Sequence, residues 1–257
     1  MTPTTTIGVN CDMGESFGIY TLGCDEELMS HITAANVACG FHAGDPSVMA
    51  ETIAAAKRHG VAVGAHPSLP DRQGFGRREM KLRPDELESL LTYQVGALTG
   101  FLAAAGMELH HLKVHGALYG MTARQSDLAL TVCAVAAAYD VPVYGMAGTM
   151  HEECARRAGV GFVSEYYSDL DYADDGTLII SRTHGAAEPE LAAERARRAI
   201  REGLVESVGG VDVAVRADTV CLHSDTPNAV ELAAAVSSVV AEENASRQPA
   251  PQGGLQR

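Results

Sequence analysis

The sequence predicts an α/β protein built on a mainly parallel sheet, and three observations carry that prediction. Short runs rich in Val and Ile alternate with longer Ala- and Leu-rich stretches of helical periodicity, as βαβ units do. The chain has 257 residues, enough for one large domain with a substantial core and a length that α/β barrels commonly occupy. Its composition is 46% apolar and 5% aromatic, with 26 glycines and no Trp, which suits close packing of helices on a sheet.

Taken in order, seven runs read as strands of that sheet: residues 7–9, 34–38, 61–64, 111–114, 141–145, 161–164 and 219–222. The run 211–215 reads as an added strand or hairpin arm. Between them lie helix signals. Asp45-Pro46 sets a capping acid before a proline at the first helical position, and the pattern runs through Val48, Ile53 and Ala56 to Gly60, a C-terminal cap. Pro84 and Pro227 repeat the opening device, the first helix reaching about Gly106 and the second about Glu242. Further helices are expected over 127–139, 149–158 and 189–202. Residues 244–257 are polar, rich in Pro and Gly and without periodicity, so a disordered, dispensable tail is expected after a single domain spanning 1–243.

Nineteen Lys and Arg against 33 Asp and Glu give a formal charge of −14, a field that repels nucleic acid and leaves any phosphate site to be built locally. The six cysteines are scattered with no C-x-x-C pair and read as reduced thiols of a cytoplasmic protein. No run approaches the roughly 18 apolar residues of a membrane span, and the first residues lack a secretory pattern.

The informative feature is where the polar residues fall. Val9 leads to Asn10 and Asp12, Ala38 to His42 and Asp45, and Gly64 to His66 and Asp71. Lys113 and His115 close the next run; Ser164 leads to Glu165 and Asp169, and Leu222 to His223 and Asp225. Strand carboxyl ends of a parallel α/β sheet or barrel share one face, so these residues are expected to converge on one pocket. Lys113 and His115 alternate and so share a face, and a Lys directed into a sheet core needs an anionic partner. His31, His59, His110, His111, His151 and His184 fall outside the rule and read as packed or hydrogen-bonded residues.

Two local motifs add chemistry. NCDMGES at residues 10–16 is an acid-rich turn whose best functional candidate is Asp12. DRQGFGRR at residues 71–78 couples two glycines to Arg72, Arg77 and Arg78, a composition suited to phosphate oxygens. Arg182 and Arg216 read about equally as solvated surface and as phosphate ligands. No G-x-x-x-x-G-K-[ST] is present, which excludes a P-loop.

Together, NCDMGESFGIY at 10–20, NVACGFHAGDP at 36–46, GAHPSLPDRQGFGRR at 64–78 and KVHGALY at 113–119 resemble the LamB/YcsF family over nearly the whole chain. Members of that family serve as the A component of bacterial ATP-hydrolysing 5-oxoprolinase. The resemblance implies a distorted seven-stranded (β/α) barrel of the glycoside hydrolase/deacetylase type. It also implies cleavage of 5-oxoproline to L-glutamate with ATP, accompanied by Mg, as co-substrate, together with B and C components; a homo-oligomer is compatible with it. Asp12, His42, His66, Lys113, His115, Asp45 and the arginines of 72–78 match family motif positions. Three motifs depart from the family pattern: Lys-Val-His for Lys-Pro-His at 113–115, Leu170 where an arginine is usual, and His-Ser-Asp for His-Gly-Asp at 223–225. Leu170 cannot supply a bidentate contact, so altered substrate choice is expected.

On this reading Asp12, His66, Lys113 and His115 are catalytic. Asn10, His42, Asp45, Arg72, Arg77, Arg78, Glu165, Asp169, His223 and Asp225 bind substrate or nucleotide. Asp12 or His115 acts as general base, and Lys113 with the arginine loop neutralises charge moving from ATP to the amide oxygen. Asp12→Asn and Lys113→Met are expected to abolish turnover and leave the fold intact. No tightly bound metal is expected; the rival reading is a metal-dependent hydrolase or deacetylase using Asp12, His66 and His115. The other rival is a noncatalytic member of the complex, which need not keep so complete a set of strand-end polar residues.

Overall fold

The computed structural model describes residues 6–180 and 185–247. The chain runs β1 (Gly8–Met13), a short α1 (Asp25–Leu28), β2 (Ala34–Ala38), α2 (Pro46–His59), β3 (Ala62–His66), α3 (Pro84–Ala105) and β4 (Leu109–Leu112). It continues with α4 (Gly116–Arg124), α5 (Ser126–Ala138), β5 (Val143–Gly145), α6 (Met150–Ala158) and β6 (Phe162–Tyr167). The hairpin β7 (Asp171–Tyr172) and β8 (Leu178–Ile179) precedes α7 (Pro189–Glu202). A second hairpin, β9 (Leu204–Glu206) and β10 (Asp212–Ala214), leads to β11 (Thr219–His223) and α8 (Ala229–Arg247).

Among the described residues, β1-β11-β6-β5-β4-β3-β2 close a seven-stranded barrel whose neighbours are all parallel. Every strand expected from the sequence is present, the run at 211–215 being the β10 arm of a hairpin. Strand alternation sorts β1 by face. Val9, Cys11 and Met13 join the apolar layer under the helices, whereas Asn10 and Asp12 lie opposite and bond to side chains of the neighbouring strands β11 and β2.

Helix ends follow their local chemistry. The Asp45 side chain accepts from the N–H groups of Ser47 and Val48, and Gly60 closes α2 in the left-handed region at φ 69°. The helix α4 lies outside the expected set: it holds two glycines in nine residues and has no side-chain N-cap, so local sequence hardly announces it. Pro227 precedes the start of α8 by two residues rather than occupying its first turn.

The largest difference from the sequence reading is at the C-terminus. Helix α8 extends to Arg247, four residues into the expected tail. Asn244 brackets the start of the barrel there, its side chain accepting from Ile7 N and donating to Ile7 O, each at 2.9 Å. Glu243 is buried, and Arg247 donates to the Ile200 carbonyl at 3.0 Å. The tail therefore cannot begin at 244; residues 248–257 and Arg182 and His184 lie outside the described residues. Arg216 pairs with Glu152 at 2.7 Å and with Asp218 at 3.4 Å on the surface, the structural role rather than the phosphate one.

A chain ending at Arg247 is expected to unfold at the same denaturant concentration as the full chain, whereas Asn244→Ala loses about 1–3 kcal/mol because two backbone groups of Ile7 lose their partner. Urea unfolding followed by far-UV circular dichroism measures both; an unchanged midpoint for Asn244→Ala contradicts the bracket.

Candidate active site at the barrel mouth

The barrel interior is polar from its waist upward. Asn10 Nδ2 donates to Thr219 Oγ1 at 3.0 Å, and Asn36 Nδ2 reaches both Asn10 Oδ1 at 2.8 Å and Asp12 Oδ1 at 2.7 Å. His111 sits below the site with Nε2 2.6 Å from Asn36 Oδ1, so it supports Asp12 through Asn36. Gly64 makes this possible, since a Cβ there would overlap the His111 ring.

Lys113 follows the last residue of β4, and its N–H donates to the Ala65 carbonyl at 3.0 Å, holding the chain beside β3. Its ammonium lies 2.8 Å from Asp12 Oδ1 and 3.1 Å from Glu165 Oε2, and donates to Cys221 Sγ at 2.9 Å. The Glu165 contact has ion-pair distance but not hydrogen-bond alignment. All four residues are buried. Burial by itself would lower the Lys113 pKa, but Asp12, Cys221 and Glu165 outweigh it and hold the ammonium well above its ordinary range. Burial would likewise raise Asp12, but His66 and Lys113 outweigh it and keep the carboxylate well below its ordinary range. Asp12 is thus a held anion.

A cluster of imidazoles lies beside this pair. His66 Nδ1 donates to the Lys113 carbonyl at 2.8 Å, while Nε2 stands 3.1 Å from Asp12 Oδ2 and 3.0 Å from His115 Nδ1. His115 Nε2 donates to the Phe75 carbonyl at 2.8 Å. His42 lies flat on His115, with ring centroids 3.8 Å apart, and its Nε2 is 3.0 Å from Glu15 Oε1. Burial, then the neighbouring histidines, keep His42 and His115 well below the usual histidine range. Burial and the negative Asp12 and Asp225 push Glu15 well above the usual carboxylate range.

His223 has the opposite environment. Its Nδ1 is 2.9 Å from Asp169 Oδ2 and its Nε2 faces Asp12 Oδ2 at 3.7 Å. Burial would lower its pKa, but Asp169 outweighs that and raises it above 6.5. Arg77 reaches across the mouth to Asp225 at 3.1 Å, both side chains largely buried.

Asp12, His66, Lys113, His115 and His223 line one inner cleft of about 30 Å³. It adjoins an outer cavity of about 510 Å³, within the range typical of small-molecule sites, and the two share Arg77, Tyr119, Leu178 and Ile180. Leu170 forms part of the inner wall. The Tyr119 hydroxyl is buried there beside Tyr167.

Three expected binding residues are engaged elsewhere. Asp45 caps α2 and accepts from Gly18 N at 2.7 Å. Arg72 donates to the Gly44 carbonyl at 3.1 Å and to the Gly40 carbonyl, and stacks on Phe17. Arg78 grips Asp71 within its own loop. These contacts shape the loop, and only Arg77 of its three arginines lines the cleft. Asn10 is below the cleft rather than in it, while His42, Glu165, Asp169 and Asp225 each contact a cleft residue. The site also draws in Glu15, Asn36, His111, Tyr119 and Cys221, which sequence reasoning does not single out. Glu15 and Tyr119 lie inside the motifs at 10–20 and 113–119, and His111 escapes the strand-end rule because it precedes the strand end.

The metal set expected from sequence is also regrouped. Glu15, His42, His66 and His115 each offer one donor atom, all within 4.8 Å of one another, and Asp12 instead groups with Cys221 and His223.

Comparison with known proteins agrees with this picture. The LamB/YcsF family model matches residues 7–254. A Heliobacterium modesticaldum protein, named as the A component of 5-oxoprolinase, is 47% identical over 234 residues, 90% of this chain and 92% of that one. A Thermus thermophilus protein of the same name is 46% identical over 234 residues, covering 90% and 94%. An Emericella nidulans protein named lactam utilization protein lamB is 45% identical over 240 residues, covering 92% and 94%. The crystal structure of a lactam utilization protein from Thermus thermophilus superposes with a TM-score of 0.85 at 44% identity, covering 92% of this chain and 96% of that one.

The ion pair corrects one sequence expectation, that Lys113→Met leaves the fold intact. It leaves Asp12 and Glu165 buried without their cation, and a loss of about 3–5 kcal/mol is expected at neutral pH. Lys113 has a raised pKa, so its contribution is full below 10.5; Asp12 has a lowered one, so its contribution is full above 3.8 and is lost as pH falls through the folded value. Urea unfolding of wild type and variant should therefore show a gap at pH about 7 that narrows in strong acid; a constant gap contradicts the pairing.

Proposed function

The chain belongs to the LamB/YcsF family, and from that premise we propose that it is the cytoplasmic A component of an ATP-dependent 5-oxoprolinase, opening 5-oxoproline to L-glutamate together with B and C components. The observation that carries the reading is one cleft holding a paired Lys113 ammonium and a His223–Asp169 dyad, in a chain whose relatives bear lactam and 5-oxoprolinase names. The free cysteines suit a reducing compartment, and among the described residues no helix is long and apolar enough to cross a membrane.

A five-membered lactam resists water because amide resonance weakens its carbonyl as an electrophile. In the proposed reaction the lactam oxygen attacks the γ-phosphorus of ATP, which enters with Mg; ADP leaves and an O-phosphorylated imidate forms. Lys113 and Arg77 stabilise charge as it moves between oxygens. Water then adds to the imidate carbon, the ring nitrogen departs with a proton, and a second water hydrolyses the resulting γ-glutamyl phosphate to glutamate and phosphate. The outer cavity offers room for the nucleotide, and the Tyr119 hydroxyl a donor at the junction.

The base is His223 rather than the expected Asp12 or His115. Asp12 is held too acidic to take a proton readily, and burial with the neighbouring histidines keeps His115 well below the usual histidine range. His223 holds Nδ1 on Asp169, lines the cleft, faces Asp12 Oδ2 through Nε2 at 3.7 Å and has raised basicity. The rival metal-dependent hydrolase would use the open position left by the three donors Asp12, Cys221 and His223, but Asp12 and Cys221 are already engaged by the Lys113 ammonium.

Glutamate formation from 5-oxoproline and ATP should appear with this chain plus B and C components and be nearly absent without them; turnover by the chain alone, or none with its partners, overturns the proposal. A base must be unprotonated, so kcat/KM of the complex should rise with pH through a midpoint above 6.5. Asp169→Asn removes the group that raises His223, so it should move that limb to lower pH and reduce the plateau by roughly 10²-fold or more. An unmoved limb excludes His223 as the base.

A further inference from the structure

We propose that Glu15, His42, His66 and His115 form a binding site for a divalent first-row transition cation, zinc foremost, that staples the ends of four adjacent barrel strands. The residues come from the turn after β1, the loop after β2, the last position of β3 and the segment just past β4. All four are buried, and their donor atoms lie within 4.8 Å of one another. Tetrahedral zinc with ligands at about 2.0–2.1 Å separates its donors by about 3.3 Å. The observed 3.0 Å from His42 to Glu15, 3.0 Å from His66 to His115 and 3.6 Å from His115 to Glu15 bracket that value.

The remaining ring nitrogens give the second argument. Metal-bound histidines characteristically donate their other N–H to a carbonyl or carboxylate, which fixes the tautomer. His66 Nδ1 does so to the Lys113 carbonyl and His115 Nε2 to the Phe75 carbonyl. Those bonds fix the neutral tautomers, and the two rings then aim lone pairs at each other across 3.0 Å, with Asp12 Oδ2 also 3.1 Å from His66 Nε2. Such an arrangement repels unless something positive lies between.

A proton there would serve His66, His115 and Asp12. It would leave the Glu15–His42 pair, whose His42 Nδ1 is buried without a hydrogen bond, out of reach. A dication serves all four donors. Three imidazoles and one carboxylate favour zinc over Mg or Ca, which take oxygen ligands. Gly76, at φ +66°, lets the 71–78 loop close over the cluster, where a Cβ would press within 2.9 Å of both His42 and His115. His66 and His115 also line the inner cleft, but no step of the reaction proposed above uses the four ligands, and with four protein donors the ion is structural.

The test is elemental analysis of the whole chain purified without chelator, followed by stripping and titration with Zn or Co. About one ion per chain is expected. Stripping should lower the melting temperature and zinc should restore it, and cobalt should give the visible ligand-field bands of a four-coordinate site. Glu15→Gln and His42→Gln should each weaken binding by about tenfold or more, while His223→Asn, in the neighbouring group, leaves it unchanged. Should either first-set variant fail to fold, the cobalt spectrum and stoichiometry of the wild-type chain still decide. Less than about a tenth of an ion, no saturable zinc uptake and a melting temperature insensitive to chelator overturn the proposal in favour of a shared proton. Loss of the ion in His223→Asn but not in Glu15→Gln or His42→Gln overturns it too, by placing the ion on Asp12, Cys221 and His223.

Discussion

One ion pair organises the mouth of this barrel. Lys113 is an ammonium in a dry interior, held by Asp12 at 2.8 Å and Glu165 at 3.1 Å from strands on either side of the closure. Neither sign of charge is tolerable there without the other. Because Asp12 is committed to the ammonium, Asn36 must orient it from below and His111 must hold Asn36. The Lys113 backbone carbonyl in turn receives His66 Nδ1, so the same residue fixes the imidazole cluster.

Much of this is legible in the sequence. Period-two alternation and the placement of polar residues just past each apolar run identify the strands and the face they open on, because strand chemistry is local. The loop arginines are not legible. Arg72, Arg77 and Arg78 lie within seven residues of each other, yet Arg77 lines the cleft, Arg72 grips the backbone of the neighbouring segment at Gly40 and Gly44, and Arg78 grips the loop's own Asp71. That outcome depends on where Gly40, Gly44 and Asp71 lie in space. Glu15 and His111 escape a reading by spacing because one follows a turn and the other lies one layer below the strand ends, and spacing alone does not report depth. The extent of α8 escapes it because residues 244–247 look like linker until Asn244 meets Ile7.

The inner wall has its own chemistry. Leu170 with Leu178 and Ile180 gives the cleft an apolar side. Among the described lining residues the guanidinium is that of Arg77, already paired with Asp225. A ligand anion here competes with an acid for its partner, whereas the apolar side rewards carbon. Recognition on that side is by shape and burial, which discriminates methylene by methylene rather than by bidentate contact.

The closure between β1 and β11 has a further consequence for how the molecule comes into being. Gly8 registers with Thr219, and Ile7 bonds the Asn244 side chain, so β1 is completed by residues up to 237 positions further along the chain. Contacts of such long sequence separation fold slowly, and a growing chain emerges from the ribosome amino end first. Until β11 has been made, β1 therefore keeps one edge unpaired beside Asp12. Emergence of β11 and α8, rather than of the first strands, permits closure, and until then the open edge is a natural client for a chaperone.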